Sequence, residues 1–174
     1  MGLPDSFFST CLQACYQVGK AISVPATAVL AGLLLVVSFS MSHSTVEVEG
    51  TDWAEPVLLW ISICMPTGMG KSSLCKFLRK VVTQARCQRG LDDTDPSWFL
   101  DDQSFEKMGE SMHHNHSKLL GLYDELSTFL TQINVCRGRG VAESHEVSLF
   151  LQLYGGDPWI RRTGKYNRHT LIFL

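Results

Sequence analysis

No aspartate, glutamate, lysine or arginine occurs between Ala21 and Val46, and the run from Ala26 to Phe39 is apolar on every side of a helical projection. A helix of that kind has no polar face to offer water and has to be buried. Running from just after Pro25 to about Met41, it rises ~24 Å at ~1.5 Å per residue, short of the ~30 Å hydrocarbon core of a bilayer. The segment before it carries Asp5 and Lys20, whose charges cancel, so there is no positive flank and no topology signal. The expectation is a core helix packed inside the domain, with membrane association through residues 26–41 as the alternative. Upstream, residues 6–20 read as a short amphipathic helix with Phe8, Leu12, Cys15 and Val18 on one face. Residues 1–50 are thus expected to be an N-terminal helical segment packed on a core formed by residues 51–174. Thr45 to Gly50 alternates apolar and charged residues and reads as a half-exposed strand.

The chain has 174 residues, enough for one domain. With 45% apolar and 18% charged residues, a chain of this length buries roughly 70% of its unfolded surface, which excludes intrinsic disorder. The net charge of −2 gives no global pull toward nucleic acid or anionic lipid. Charge is uneven locally: Lys71 to Arg89 contains six basic residues and no acid, and Asp92 to Glu110 seven acids against Lys107. Such runs are ordinarily solvated faces. Six cysteines include no Cys-x-x-Cys pair, so a disulfide framework or zinc ribbon is not expected, and the thiols read as reduced, mostly buried and intracellular.

The most informative stretch begins at Val57-Leu58-Leu59-Trp60-Ile61-Ser62-Ile63-Cys64, a near-continuous apolar run with the character of a strand covered on both faces in a parallel sheet. It leads into Met65-Pro66-Thr67-Gly68-Met69-Gly70-Lys71-Ser72 and then a helix with Leu74, Leu78, Val81 and Val82 on one side. Strand, glycine-bearing turn, Gly-Lys-Ser and helix are the order a P-loop requires. Gly68 and Gly70 let main-chain N–H groups converge on phosphate oxygens, and the helix adds its positive end. Lys71 supplies a cation for the β- and γ-phosphates, and Ser72 a hydroxyl ligand for Mg2+. Thr67, Gly68, Met69, Gly70, Lys71, Ser72 and Ser73 are therefore the candidate ATP-binding set. Met65 stands where the consensus has its first glycine, a position that opens the loop without carrying phosphate contacts.

Lys118 to Tyr123 reads as a second strand, ending at Asp124-Glu125. Asp124 is the candidate metal carboxylate, as in a Walker B strand, and Glu125 the candidate general base for an attacking water. Between the two motifs, Ser97 to Asp102 reads as a strand end, and Ser104 as the cap of a helix from Phe105 to about His113. His113, His114 and His116 have no ligand framework around them and read as an exposed loop. Leu126 to Ile133 is expected to be helical, and Arg137-Gly138-Arg139-Gly140 a basic loop. A helix opening near Ser144 puts Val147, Phe150, Leu151 and Tyr154 on one side and stops at Gly155-Gly156. Trp159 to Thr163 and His169 to Leu174 read as strands. The fold class expected is α/β: a P-loop NTPase with a RecA-like parallel sheet flanked by helices, incomplete at the C-terminus.

The order of these features resembles the domain-of-unknown-function family 3987, primase-helicase-like P-loop proteins. The resemblance rests on the apolar helix ahead of the loop, Trp53 to Trp60, the Pro66 to Ser72 loop and Leu120-Gly121-Leu122-Tyr123-Asp124-Glu125-Leu126. It extends to Leu151-Gln152-Leu153-Tyr154-Gly155-Gly156, followed by Trp159 and Arg161-Arg162, and covers about residues 20–174. It implies ATP binding by a RecA-like domain, action on nucleic acid and self-association into a homo-oligomer, inside the cell in cytoplasm or nucleus, with no membrane partner. Arg161 and Arg162 are then candidates for cations supplied to the γ-phosphate of a neighbouring subunit, or else for charged positions on an exposed edge strand. The leading expectation is a Mg-ATP-dependent ATPase domain of helicase-like character. A non-catalytic nucleotide-binding fragment and a P-loop kinase-like protein are the alternatives.

Overall fold

The computed structural model describes residues 5–41, 44–90, 98–100, 105–115, 118–132, 145–155, 159–163 and 166–172. The fold is mixed α/β and mostly helical, and among the described residues the strands come in pairs. It divides into two units, Met1–Val37 with Leu59–Asp93, and Ser38–Leu58 with Thr94–Leu174.

The first unit is helical. Helix α1 spans Asp5–Ile22, α2 Ala26–Ser40 and α3 Lys71–Gln88; the unit boundary falls near the end of α2. Helix α1 stops at Ser23, which sits in the left-handed region at φ 58°, while the Val24 N–H returns to the Gly19 carbonyl at 2.8 Å. This is a Schellman stop with serine in the position glycine usually takes. The Pro25 carbonyl then accepts from Ala28 and Val29 and starts α2, with the two helices bent by 112°. A Cβ on Gly19 would lie 2.5 Å from the Val24 carbonyl oxygen, so this corner closes only around a glycine. Helix α2 buries Ala28, Val29, Gly32 and Val36, and α3 buries Leu74, Leu78 and Val82. The Leu78 side chain seats against Gly32, where a Cβ would meet its Cδ1 at 2.7 Å.

The expected apolar helix thus forms, but its burial is one-sided, for Leu34 and Val37 are exposed. No single described helix is long and apolar enough to cross a membrane. In α1 the expected face is buried only toward its C-terminal half, where Cys15 is buried and Val18 half-buried. Gly19 is buried as well, whereas Phe8 and Leu12 are 53% and 56% exposed, because the small side chains are the ones that permit close approach at the corner.

In the second unit β1 (Thr45–Glu47) pairs antiparallel with β2 (Ala54–Pro56) in an exposed hairpin, turning through Gly50 at φ 79°. The buried Ser38 hydroxyl donates to the Val57 carbonyl at 3.1 Å, and Phe39 meets Trp98 edge-on at 6.4 Å. Strand β3 (Phe99–Leu100), helix α4 (Phe105–His114) and strand β4 (Leu120–Gly121) form a crossover in which the strands are parallel. Helix α5 (Leu126–Gln132) and helix α6 (His145–Gly155) complete a core of Leu100, Met108, Met112, Phe150 and Leu153. A hairpin of β5 (Trp159–Thr163) and β6 (Tyr166–Ile172) follows.

Several expectations are corrected here. No RecA-like sheet forms among the described residues, and Val57–Cys64 is not a strand. The Leu58 N–H bonds the Pro56 carbonyl at 2.8 Å, a γ-turn that bends the chain where the strand would begin. Leu59, Trp60 and Ile61 are consequently exposed. Strand β4 is shorter than the expected Lys118–Tyr123. Helix α6 buries Leu153 and leaves Leu151 and Tyr154 exposed. His113 and His114 lie in the last turn of α4, not in a loop. Of the described cysteines, none of them in a disulfide, only Cys15 is buried, and Cys64 and Cys87 are exposed. Ser104, His116, Cys136 and Arg137–Gly140 lie outside the described residues.

Helix propensity alone favours Gly19→Ala by about 1 kcal/mol, but an added methyl against a backbone carbonyl costs about 1–3 kcal/mol. The expected outcome is a net fall in melting temperature of a few degrees, read by thermal unfolding followed by circular dichroism. A rise would show that the corner tolerates a side chain.

Candidate functional site

The loop from Met65 to Gly70 is built by one turn and two glycines. The Met69 N–H returns to the Pro66 carbonyl at 3.3 Å, and Gly68, third in that turn, has φ 86°. A positive φ at the third position is what a type II turn demands and what glycine supplies without strain. Nothing lies within 4 Å of the place where a Cβ of Gly68 would point, so the loop is open there. Gly70 is again left-handed, at φ 76° and ψ 24°, and serves as the N-cap of α3 without a side-chain hydrogen bond. Its carbonyl accepts from Leu74 at 3.0 Å.

Helix α3 therefore begins at Lys71 with first-turn N–H groups that have no intrahelical acceptor. Those groups and the aligned peptide dipoles make the helix start attractive to an anion. Lys71 is half-buried, and its Nζ donates to the Met65 carbonyl at 3.4 Å. The ammonium is thus folded back across the loop it is expected to serve. Thr67, Gly68, Met69, Ser72 and Ser73 are exposed. Beside the loop, a groove of about 340 Å³ is lined by Pro25, Ala28, Ala31, Ile61 and Met65 among others. That lining is mostly apolar and carries no charged side chain.

The close packing behind Gly70 was not legible from the motif. A Cβ there would lie 2.8 Å from Val24 Cγ2, 2.9 Å from the Ser23 carbonyl oxygen and 3.1 Å from that of Ile22. The corner between α1 and α2 backs the loop. The sequence signals this corner only as a helix stop, through Gly19 and Pro25.

Asp124 and Glu125 belong to the second unit, as do Arg161 and Arg162, whereas Thr67 to Ser73 belong to the first. Both carboxylates are exposed, in the bend between β4 and α5. The Ser127 hydroxyl donates to Glu125 Oε2 at 3.1 Å, and the Glu125 carbonyl accepts from the Thr128 N–H at 3.2 Å to start α5. The bend is anchored on either side by Tyr123 and Phe129, whose rings lie 5.3 Å apart, and Phe129 meets Phe150 edge-on at 5.2 Å. Arg161 lies opposite Thr170 in the β5–β6 hairpin, and Arg162 falls at the irregularity in that register. Among the described residues no three of His, Cys, Asp and Glu are grouped as a protein-built metal site would need. Comparison with protein-family models, with curated proteins and with solved structures finds no match for this chain.

Proposed function

We propose that the chain binds magnesium–ATP through Thr67 to Ser73. The observation that carries this reading is the pair of left-handed glycines, Gly68 and Gly70, directly ahead of a helix that opens with Lys71 and Ser72. Left-handed residues in such a turn are the setting in which main-chain N–H groups form an anion-binding nest, and the open space beside Gly68 leaves room for a phosphate oxygen to approach. The bound nucleotide supplies a phosphoanhydride whose terminal phosphoryl group water can accept. Lys71 would exchange its contact with the Met65 carbonyl for a phosphate oxygen, and the Ser72 hydroxyl would be the loop's ligand for Mg2+. For hydrolysis Asp124 would be the metal carboxylate, and Glu125 would take the proton of the attacking water on its carboxylate as the bond from the terminal phosphorus to the leaving diphosphate breaks.

The parallel β3–α4–β4 crossover supports a wider reading as an α/β nucleotide-binding domain, since such crossovers are the unit from which RecA-like sheets are assembled. Action on nucleic acid, self-association and a role for Arg161 and Arg162 in a neighbouring subunit's site rest on the family resemblance in sequence. Turnover stimulated by single-stranded DNA is the measurement that tests them.

Thermal unfolding with and without Mg-ATP tests the binding. Ligand at 100 times its dissociation constant stabilises by ~2.7 kcal/mol, or ~5–10 °C for a chain of this size. Lys71→Ala is expected to abolish the shift, and an undiminished shift in that variant would remove Lys71 from the site.

Glu125→Gln preserves the shape of the side chain but cannot take up a proton. It is expected to retain the thermal shift and to lose turnover by ~10²–10⁴-fold in a phosphate-release assay. Turnover at the wild-type rate would place the base elsewhere.

A further inference from the structure

We infer that Val24 is a positioning residue for the phosphate loop, an assignment that rests on the nucleotide-binding reading of Thr67 to Ser73. Val24 lies far from the Gly-Lys-Ser motif in sequence, yet its Cγ2 and the carbonyl oxygens of Ser23 and Ile22 occupy the space behind Gly70, all within 3.1 Å of where a Cβ would be.

Two physical effects act at this contact. The first is shape. A glycine has several accessible backbone wells, and the left-handed one at φ 76° that aims the start of α3 is no deeper for Gly70 than the others. The Val24 methyl and two carbonyls fill the place a side chain would take, so residue 70 has to be glycine, and they abut its backbone on this side. Val24 is itself fixed, being 6% exposed and held by its N–H bond to the Gly19 carbonyl. The second is charge. Ile22 and Ser23 carry carbonyl oxygens at the C-terminal, negative end of α1, and these lie against the N-cap of α3, where the positive end of that helix begins. With this side occupied by protein, the open side beside Gly68 remains for an incoming anion. Val24 touches no nucleotide atom in this scheme, and its effect passes through the conformation of Gly70.

The test is titration of the full chain with a fluorescent ATP analogue in the presence of Mg2+, paired with thermal unfolding of each unliganded variant. Val24→Ala removes the methyl groups behind Gly70 and is expected to weaken binding about tenfold. Val24→Thr keeps the branched shape and is expected to restore wild-type affinity. Val29→Ala deletes an equally buried side chain of α2 that is not among the atoms nearest Gly70, so it is expected to lower the melting temperature without changing affinity. Wild-type affinity in Val24→Ala, or equal weakening in Val29→Ala, overturns the inference. If Val24→Ala does not fold, Val24→Ile decides: the added methylene presses on Gly70 and is expected to weaken binding, and unchanged affinity overturns the assignment. A wild-type chain that binds no nucleotide overturns the loop reading and this inference together. Binding that is indifferent to residue 24 overturns this inference alone.

Discussion

The first unit depends on a side chain that is missing at residue 32. Leu78 fills the gap over Gly32, and a helix interior accepts the conformational cost of glycine only where something of this kind is gained. Two turns earlier along α3, Gly70 makes an equally close approach to the α1–α2 corner. Two such contacts on one helix fix both its rotation and its position along its axis, since ridged side-chain surfaces do not slide freely past one another. The direction in which Lys71 and Ser72 leave the loop follows from these two glycines as much as from the motif that contains one of them.

The second unit is held by different means. Met108 and Met112 stand one turn apart on α4 and are almost wholly buried, and their unbranched side chains adapt to irregular gaps. Against them the rings of Tyr123, Phe129 and Phe150 form a run of edge-on and tilted contacts. Asp124 and Glu125 occupy the bend between the first two of these rings. An exposed pair of carboxylates on a short segment with both flanks anchored is the arrangement in which loops ordinarily carry chemistry.

What could be read from the sequence follows the range of the forces involved. Helix α2 was legible from the absence of charge, and α3 from Leu74, Leu78 and Val82 at helical spacing. Strand β5 was legible from its apolar and β-branched residues. The two loop glycines were legible because their left-handed conformation is a local requirement of the turn and of the cap. The run Val57–Cys64 misled because an apolar run records a preference for burial or strand pairing but not the local turns, and the γ-turn at Val57 depends on one hydrogen bond that composition does not encode. The face of α1 misled at Phe8 and Leu12, though not at Cys15, for the opposite reason. Hydrophobicity ranks Phe8 and Leu12 above Gly19, but the close approach at the corner selects for small size. The backing of Gly70 by Val24 is a contact between distant positions, and no local pattern announces it.

The first unit is discontinuous along the chain, with residues 38–58, which include the last residues of α2, intervening before the loop. Closing such an insertion costs little in the finished protein, because loop entropy grows only slowly with length. Its consequence falls on synthesis. The ribosome releases α2 before the segment that carries Leu74, Leu78 and Val82, at a pace that separates Val36 from Val82 by roughly 2–10 s. During that interval the charge-free stretch from Ala21 to Val46 is without α3, the helix that covers Gly32. The nascent chain is then at its most vulnerable to premature association, and a chaperone that shields apolar segments has most to contribute before α3 emerges.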